Sequence, residues 1–246
     1  MLGLTEVQVI LLIGAAIIIG FSKTGITGAT LPAVAMIAYT FGGKASSGIM
    51  LTMLIAADFL AIYNYGKYGK FKDVMKVLPP AVIGITLGAV IGNYLNDAQF
   101  KLLMGIIVVI CLILLIYKEI AKKSFKVPQN KFFHTAVGII SGFSSMVGNA
   151  AGPIFSLYML SLSFEKNKFI GTSAWFFLVV NIIKVPFHVF LWKTISFDTL
   201  KYTGIMLPFI LLGALLGIYF VKKINEKHYK ILVIIMTAIA AVRLMV

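Results

Sequence analysis

The chain has 246 residues, 60% of them apolar and 12% charged, with a formal charge of +14 and one cysteine, Cys111. A soluble domain carries roughly 25% charged residues, so an ordinary globular protein is excluded, and one cysteine excludes an internal disulfide framework or thiolate metal site. The basic residues fall between apolar runs, which reads as a positively charged cytoplasmic face and not as a nucleic-acid surface.

Apolar runs follow one another from end to end, at about 5–22, 29–41, 47–66, 77–95 and 99–118, then at about 133–144, 150–163, 169–192, 202–221 and 229–246. We label them a to e and a′ to e′. About 20 residues are needed to cross the hydrocarbon, so runs c, d, e and their partners are long enough, whereas b, a′ and b′ are short. The first run lacks the flanks of a cleaved signal peptide and reads as a retained span. The expectation is an all-α polytopic membrane protein of 8–10 transmembrane segments in the cytoplasmic membrane, in contact with lipid.

Between a and b, and again between a′ and b′, the apolar pattern is interrupted. Gly20-Phe21-Ser22-Lys23-Thr24-Gly25-Ile26-Thr27-Gly28 leads to Pro32, and Gly142-Phe143-Ser144-Ser145-Met146-Val147-Gly148-Asn149 leads to Pro153. Glycine and proline are poor material for a continuous helix, and opened backbone in a membrane is tolerated only around a protected cavity. The two halves also match elsewhere. Asp73 and Asp198 precede d and d′; Gly88, Gly92 and Tyr94 pair with Gly213, Gly217 and Tyr219; Gln99-Phe100-Lys101 pairs with His228-Tyr229-Lys230. This spacing divides the chain into a first repeat (1–118), a cytoplasmic linker (119–132) and a second repeat (133–246).

Lysine placement sets the orientation. With every run crossing, or with a and b forming a hairpin, one side holds Lys23 and the lysines of the 67–76, 118–131, 166–168 and 222–230 stretches, 16 against 5 on the other side. The positive-inside rule then puts both termini outside and makes the second repeat inverted. Inverted repeats with paired broken helices are an architecture of secondary transporters, whose site lies near the midplane.

The candidate site follows. Helix starts after each break would turn free amides towards an anion, assisted by Ser22, Thr24 and Thr27 in the first copy and Ser144, Ser145 and Asn149 in the second. The alternative is that the glycines only allow close helix packing. In run c′, Asn181, Lys184 and His188 follow i, i+3, i+7 spacing and share a helical face. A lysine this deep is a functional candidate by default, unless it snorkels or pairs with a carboxylate. Asp58, which corresponds to Asn181 in the first copy, is the carboxylate deep in a run. It is expected either to pair with Lys184 or to carry a coupling proton. Thr172 and Ser173 are weaker candidates, and Trp175 reads as packing. Glycines four residues apart in d and d′ (Gly84, Gly88 and Gly92; Gly213 and Gly217) mark a contact face, within a subunit or between two subunits of a homodimer.

Two halves, each opening with a Gly-Phe-Ser break closed by proline, together with Gly171-Thr172-Ser173, resemble the sulfite exporter TauE/SafE family of membrane permeases over nearly the whole chain. The resemblance implies export of sulfite, sulfoacetate or related organosulfonates, without a metal or organic cofactor. The first copy departs from the more glycine-dense family pattern, which shifts the expected site towards the second. Two other readings stand beside a transporter of small anions. One is a passive anion channel, which needs no coupling residue. The other is an intramembrane hydrolase built on Ser144 and His188, against which stands the absence of a Gly-x-Ser-x-Gly or HExxH motif.

Overall fold

The computed structural model describes residues 4–25, 29–120, 130–162 and 164–223. The described elements are helices throughout: α1 (Glu6–Thr24), α2 (Leu31–Phe41), α3 (Gly43–Tyr65) with a 3₁₀ turn (Gly66–Tyr68), α4 (Phe71–Tyr94) and α5 (Asp97–Ile120), then α6 (Lys131–Gly148), α7 (Gly152–Ser161), α8 (Lys166–Pro186) with a π-helical turn (Phe187–Leu191), and α9 (Phe197–Lys223). Six of these helices are long and apolar enough to cross a membrane: α1, α3, α4, α5, α8 and α9. The protein is therefore a multi-pass, all-α membrane protein. Run e′ and His228 lie outside the described residues.

The helix ends follow side-chain chemistry. Thr5 and Gln8 cap α1 reciprocally, through Thr5 N to Gln8 Oε1 at 3.0 Å and Gln8 N to Thr5 Oγ1 at 3.3 Å. Asn130 Oδ1 accepts from Phe133 N at 2.8 Å to start α6. The reversal from α2 into α3 is made at Gly42, whose φ of 87° favours glycine. There Asp97 Oδ1 accepts from Gly43 N at 2.9 Å, so the start of α5 caps the start of α3.

Two glycine-lined crossings hold the bundle. In one, Gly84 and Gly142 bring α4 and α6 so close that a Cβ on either would strike the facing carbonyl, of Ile139 and Ala81 respectively. In the other, Gly20 and Gly213 do the same for α1 and α9 against the carbonyls of Ile210 and Ile17. The contacts pair Gly84 with Gly213, and Gly88 (against Phe143 and Met146) with Gly217 (against Phe21 and Thr24). This is one helical turn away from the pairing the sequence suggested, because α9 carries an extra turn before its crossing. Within each crossing the helices run parallel. The end of α4 (with Asp97 against Gly43) and the start of α9 (with Thr194 against Gly48) lie at the same end of the bundle, so the two crossings run in opposite directions.

Candidate functional site

The Gly-Phe-Ser stretches are not themselves broken. Helix α1 runs through Gly20 to Thr24 and α6 runs through Gly142 to Gly148, so these glycines serve the crossings just described. The packing reading holds for them. The chain leaves helical geometry only afterwards, at Gly25 on one side and at Asn149–Ala151 on the other.

At the second break Asn149 caps α6 in the left-handed region, at φ 51° and ψ 27°, a conformation asparagine tolerates better than most residues. Its amide side chain holds the turn in place: Nδ2 donates to Ser47 O on α3 at 3.2 Å, and Oδ1 accepts from Lys184 Nζ at 2.6 Å. Cys111 Sγ donates to Ala150 O at 3.2 Å. Helix α7 then begins with Gly152-Pro153, and α2 begins with Leu31-Pro32 after Thr30. A proline in the first turn gives up a donor that would have had no intrahelical partner.

Both breaks open into one cavity. Ser22, Lys23 and Thr30 line it from the first break, and Ser145, Asn149, Ala151 and Gly152 from the second. Leu54 of α3 and Ser173, Ala174, Phe177 and Asn181 of α8 complete the wall. The Ser173 hydroxyl is buried there with no hydrogen-bond partner among the described residues.

Behind the cavity runs a chain of buried charge. Lys23 Nζ lies 2.8 Å from Asp58 Oδ1, as an ion pair, and 4.3 Å from the centroid of the Phe177 ring. Asp58 Oδ2 accepts from Asn181 Nδ2 at 2.7 Å. Asn181 Oδ1 in turn accepts from Lys184 Nζ at 3.2 Å, and the same ammonium donates to Ser145 Oγ at 3.2 Å. Asp58 and Lys184 are both fully buried. The expected direct pair between them is absent among the described residues, because Asn181 stands between the two and bonds to each. The carboxylate pairs with Lys23 instead. This corrects the sequence reading of Lys23 as a lysine of the cytoplasmic face: it lies inside the bundle with 9% of its side chain exposed. With both lysines protonated and Asp58 ionised, the cluster would carry one excess positive charge.

The other expected residues divide. Thr24 Oγ1 donates to Ala214 O at 2.9 Å and lies at 3.2 Å from Gly20 O, so it faces α9 and not the cavity. Ser144 is buried behind the break, where its carbonyl accepts from Ala150 N at 3.2 Å. Thr27 lies outside the described residues. His188 shares the expected sequence spacing with Lys184 but falls beyond Pro186, in the π-helical turn, and so leaves the cavity face. Its Nδ1 bonds to Thr194 Oγ1 at 2.8 Å and its ring meets Trp192 edge-on at 4.9 Å. It does not bond Ser144, as a hydrolytic pair would require. Thr172 Oγ1 accepts from Lys70 N at 3.0 Å, and Trp175 Nε1 donates to Gly66 O at 3.1 Å; both tie α8 to the turn before α4.

A multi-pass helical protein in which two interruptions between helices meet at one buried cavity lined by polar side chains has the build of a membrane permease. The sequence profile of the sulfite exporter TauE/SafE family matches residues 11–244, and the chain belongs to that family. No curated protein and no solved structure is significantly similar to it.

Proposed function

We propose that the protein is a secondary transporter that exports small sulfite- or organosulfonate-type anions across the cytoplasmic membrane by alternating access. The observation that carries this reading is the shared cavity: the two breaks converge on it, Lys23 lines it, and its wall includes Ser173, whose buried hydroxyl has no hydrogen-bond partner among the described residues. An oxyanion there would accept hydrogen bonds from Ser22, Ser145, Asn149 and Ser173, and from first-turn amides of α7. The oppositely directed glycine crossings support two inverted repeats, 1–118 and 133–246, rocking about this point. They also engage the glycine faces inside one subunit, so a homodimer would use other surfaces.

The ends of the bundle support the orientation. Lys44, Lys101, Lys193 and Lys201 belong to one end, and Lys67, Lys70, Lys72, Lys76, Lys131, Lys166 and Lys168 to the other. The second is the cytoplasmic face in this reading, with both termini outside.

Thermal stabilisation of the purified protein tests the reading, with sulfite, sulfoacetate, isethionate, taurine and acetate compared. A ligand at about 100 times its dissociation constant adds roughly 2.7 kcal/mol. Stabilisation by sulfite or sulfonates that is lost in Ser173→Val is the expected result. Stabilisation that survives Ser173→Val and Ser145→Val together would move the site elsewhere, and no stabilisation by any of the five would refute the substrate class.

A further inference from the structure

We propose that Lys23 is the residue that holds the anion, and that it does so by exchanging Asp58 for the substrate while a proton takes the lysine's place on Asp58. The inference rests on the cavity being an anion site.

The two buried lysines differ in what their ammoniums have left to give. Lys184 has three N–H donors and three oxygen partners, Ser145 Oγ, Asn149 Oδ1 and Asn181 Oδ1. It is saturated by neutral groups, does not line the cavity, and acts as a strut between the end of α6 and α8. Lys23 does line the cavity. Its ammonium has one oxygen partner among the described residues, Asp58 Oδ1, and otherwise rests on the face of Phe177. A ring face satisfies charge without fixing a hydrogen-bond direction, so Lys23 keeps N–H donors for a ligand.

Asp58 is the group with which such a ligand competes. The charged groups that face it are Lys23 from α1 and, across Asn181, Lys184 from α8; no other charged side chain among the described residues acts on it from the remaining helices around α3. An oxyanion that draws the Lys23 ammonium towards itself leaves Asp58 fully buried with Asn181 as its remaining partner. A buried carboxylate without its cation is costly and is relieved by taking up a proton. The charges then balance. Lys23, Lys184 and ionised Asp58 sum to one positive charge, which matches a monoanion; with Asp58 protonated they sum to two, which matches a dianion such as sulfoacetate. No covalent bond other than that O–H bond forms or breaks.

The full-length protein in detergent, titrated calorimetrically with sulfoacetate in two buffers of different ionisation enthalpy, reports both affinity and protons bound. Both acidic groups of sulfoacetate stay ionised near neutral pH, so any proton taken up belongs to the protein. The wild type is expected to bind one proton per anion and to bind more tightly as pH falls. Asp58→Asn frees Lys23, and should bind roughly tenfold more tightly if Asp58 engages the lysine in about nine molecules of ten, with no proton uptake. Lys23→Gln alone strands a buried carboxylate and can fail to fold. The neutral pair Lys23→Gln/Asp58→Asn avoids this, and is expected to fold and to lose sulfoacetate binding. Weaker binding by Asp58→Asn, proton uptake that persists in it, or wild-type affinity in the double variant would overturn the exchange while leaving the anion site standing. A wild type that binds neither sulfoacetate nor sulfite would remove the anion site, and the exchange with it.

Discussion

Asn149 offers the sharpest test of how the second break is held, because three separate costs meet in one side chain. It donates to Ser47 O at 3.2 Å, accepts from the Lys184 ammonium at 2.6 Å, and sits at φ 51°. A hydrogen bond to a charged group is worth about 1.5–3 kcal/mol and a neutral one about 0.5–1.5. Alanine at a left-handed position adds about 1–2 kcal/mol of strain, which glycine escapes. Asn149→Ala is therefore expected to cost about 3–6.5 kcal/mol once both lost bonds and the strain are combined. Asn149→Gly should cost about 1–2 kcal/mol less, although it removes the same bonds. At about 2–4 °C per kcal/mol for a chain of this size, thermal unfolding in one detergent resolves the order wild type, Gly, Ala. Equal unfolding temperatures for the Gly and Ala variants would refute the backbone part of the reasoning. An Ala variant as stable as wild type would refute the Lys184 strut. Asn149→Asp separates stability from binding. It keeps the left-handed residue and gives Lys184 a carboxylate, but loses the donor to Ser47 O and adds a negative charge beside Lys184. It should fold and lose sulfite binding; retained binding would mean that net charge does not select the ligand.

Gly142→Ala should destabilise by about 1–3 kcal/mol in the same melt, since its Cβ meets the Ala81 carbonyl and a whole helix must move. Gly204→Ala, with nothing within 4 Å, should be neutral or slightly stabilising. Thr24→Val removes a donor that faces Ala214 O, so it should lower stability by about 0.5–1.5 kcal/mol and leave sulfite affinity unchanged. For orientation, Lys72→Cys should react with an impermeant maleimide from the cytoplasmic side and Lys193→Cys from outside, over a silent background from buried Cys111. Labelling in the reverse sense would invert the topology.

The sequence carried the architecture because the bilayer leaves few alternatives. Runs of the right length had to be helices, and the repeated Gly-Phe-Ser and closing prolines located both places where the chain turns inward. Composition could not separate a glycine that breaks a helix from one that lets two helices touch. Gly20 and Gly142 proved to be the latter, and that distinction lives in the facing carbonyls of Ile210 and Ala81. Lys23 was hidden for a related reason. It follows an apolar run and precedes a break, where a lysine ordinarily marks a membrane surface. Only the fold brings Asp58 to within 2.8 Å of it. His188 shows the opposite error. Helical periodicity set it beside Lys184, but the spacing stops applying past Pro186, where the backbone widens into a π-helical turn.

In the proposed two-repeat architecture Asp58 and Asn181 occupy corresponding positions, and they are also hydrogen-bonded to each other. Equivalent residues of two related copies can touch only near the axis that relates the copies. On that reading the polar chain from Lys23 to Lys184 would straddle the axis, and Lys23 and Ser145, which would also correspond, both line the cavity. A motion that exchanges the conformations of the halves would leave this point in place while opening opposite sides of it in turn. Divergence between the copies would then have a defined use. Had both positions stayed asparagine, no carboxylate would compete for Lys23; had both become aspartate, the excess positive charge would vanish. Under the proposed exchange, one of each would keep the cavity attractive to an anion and supply a group that can release it.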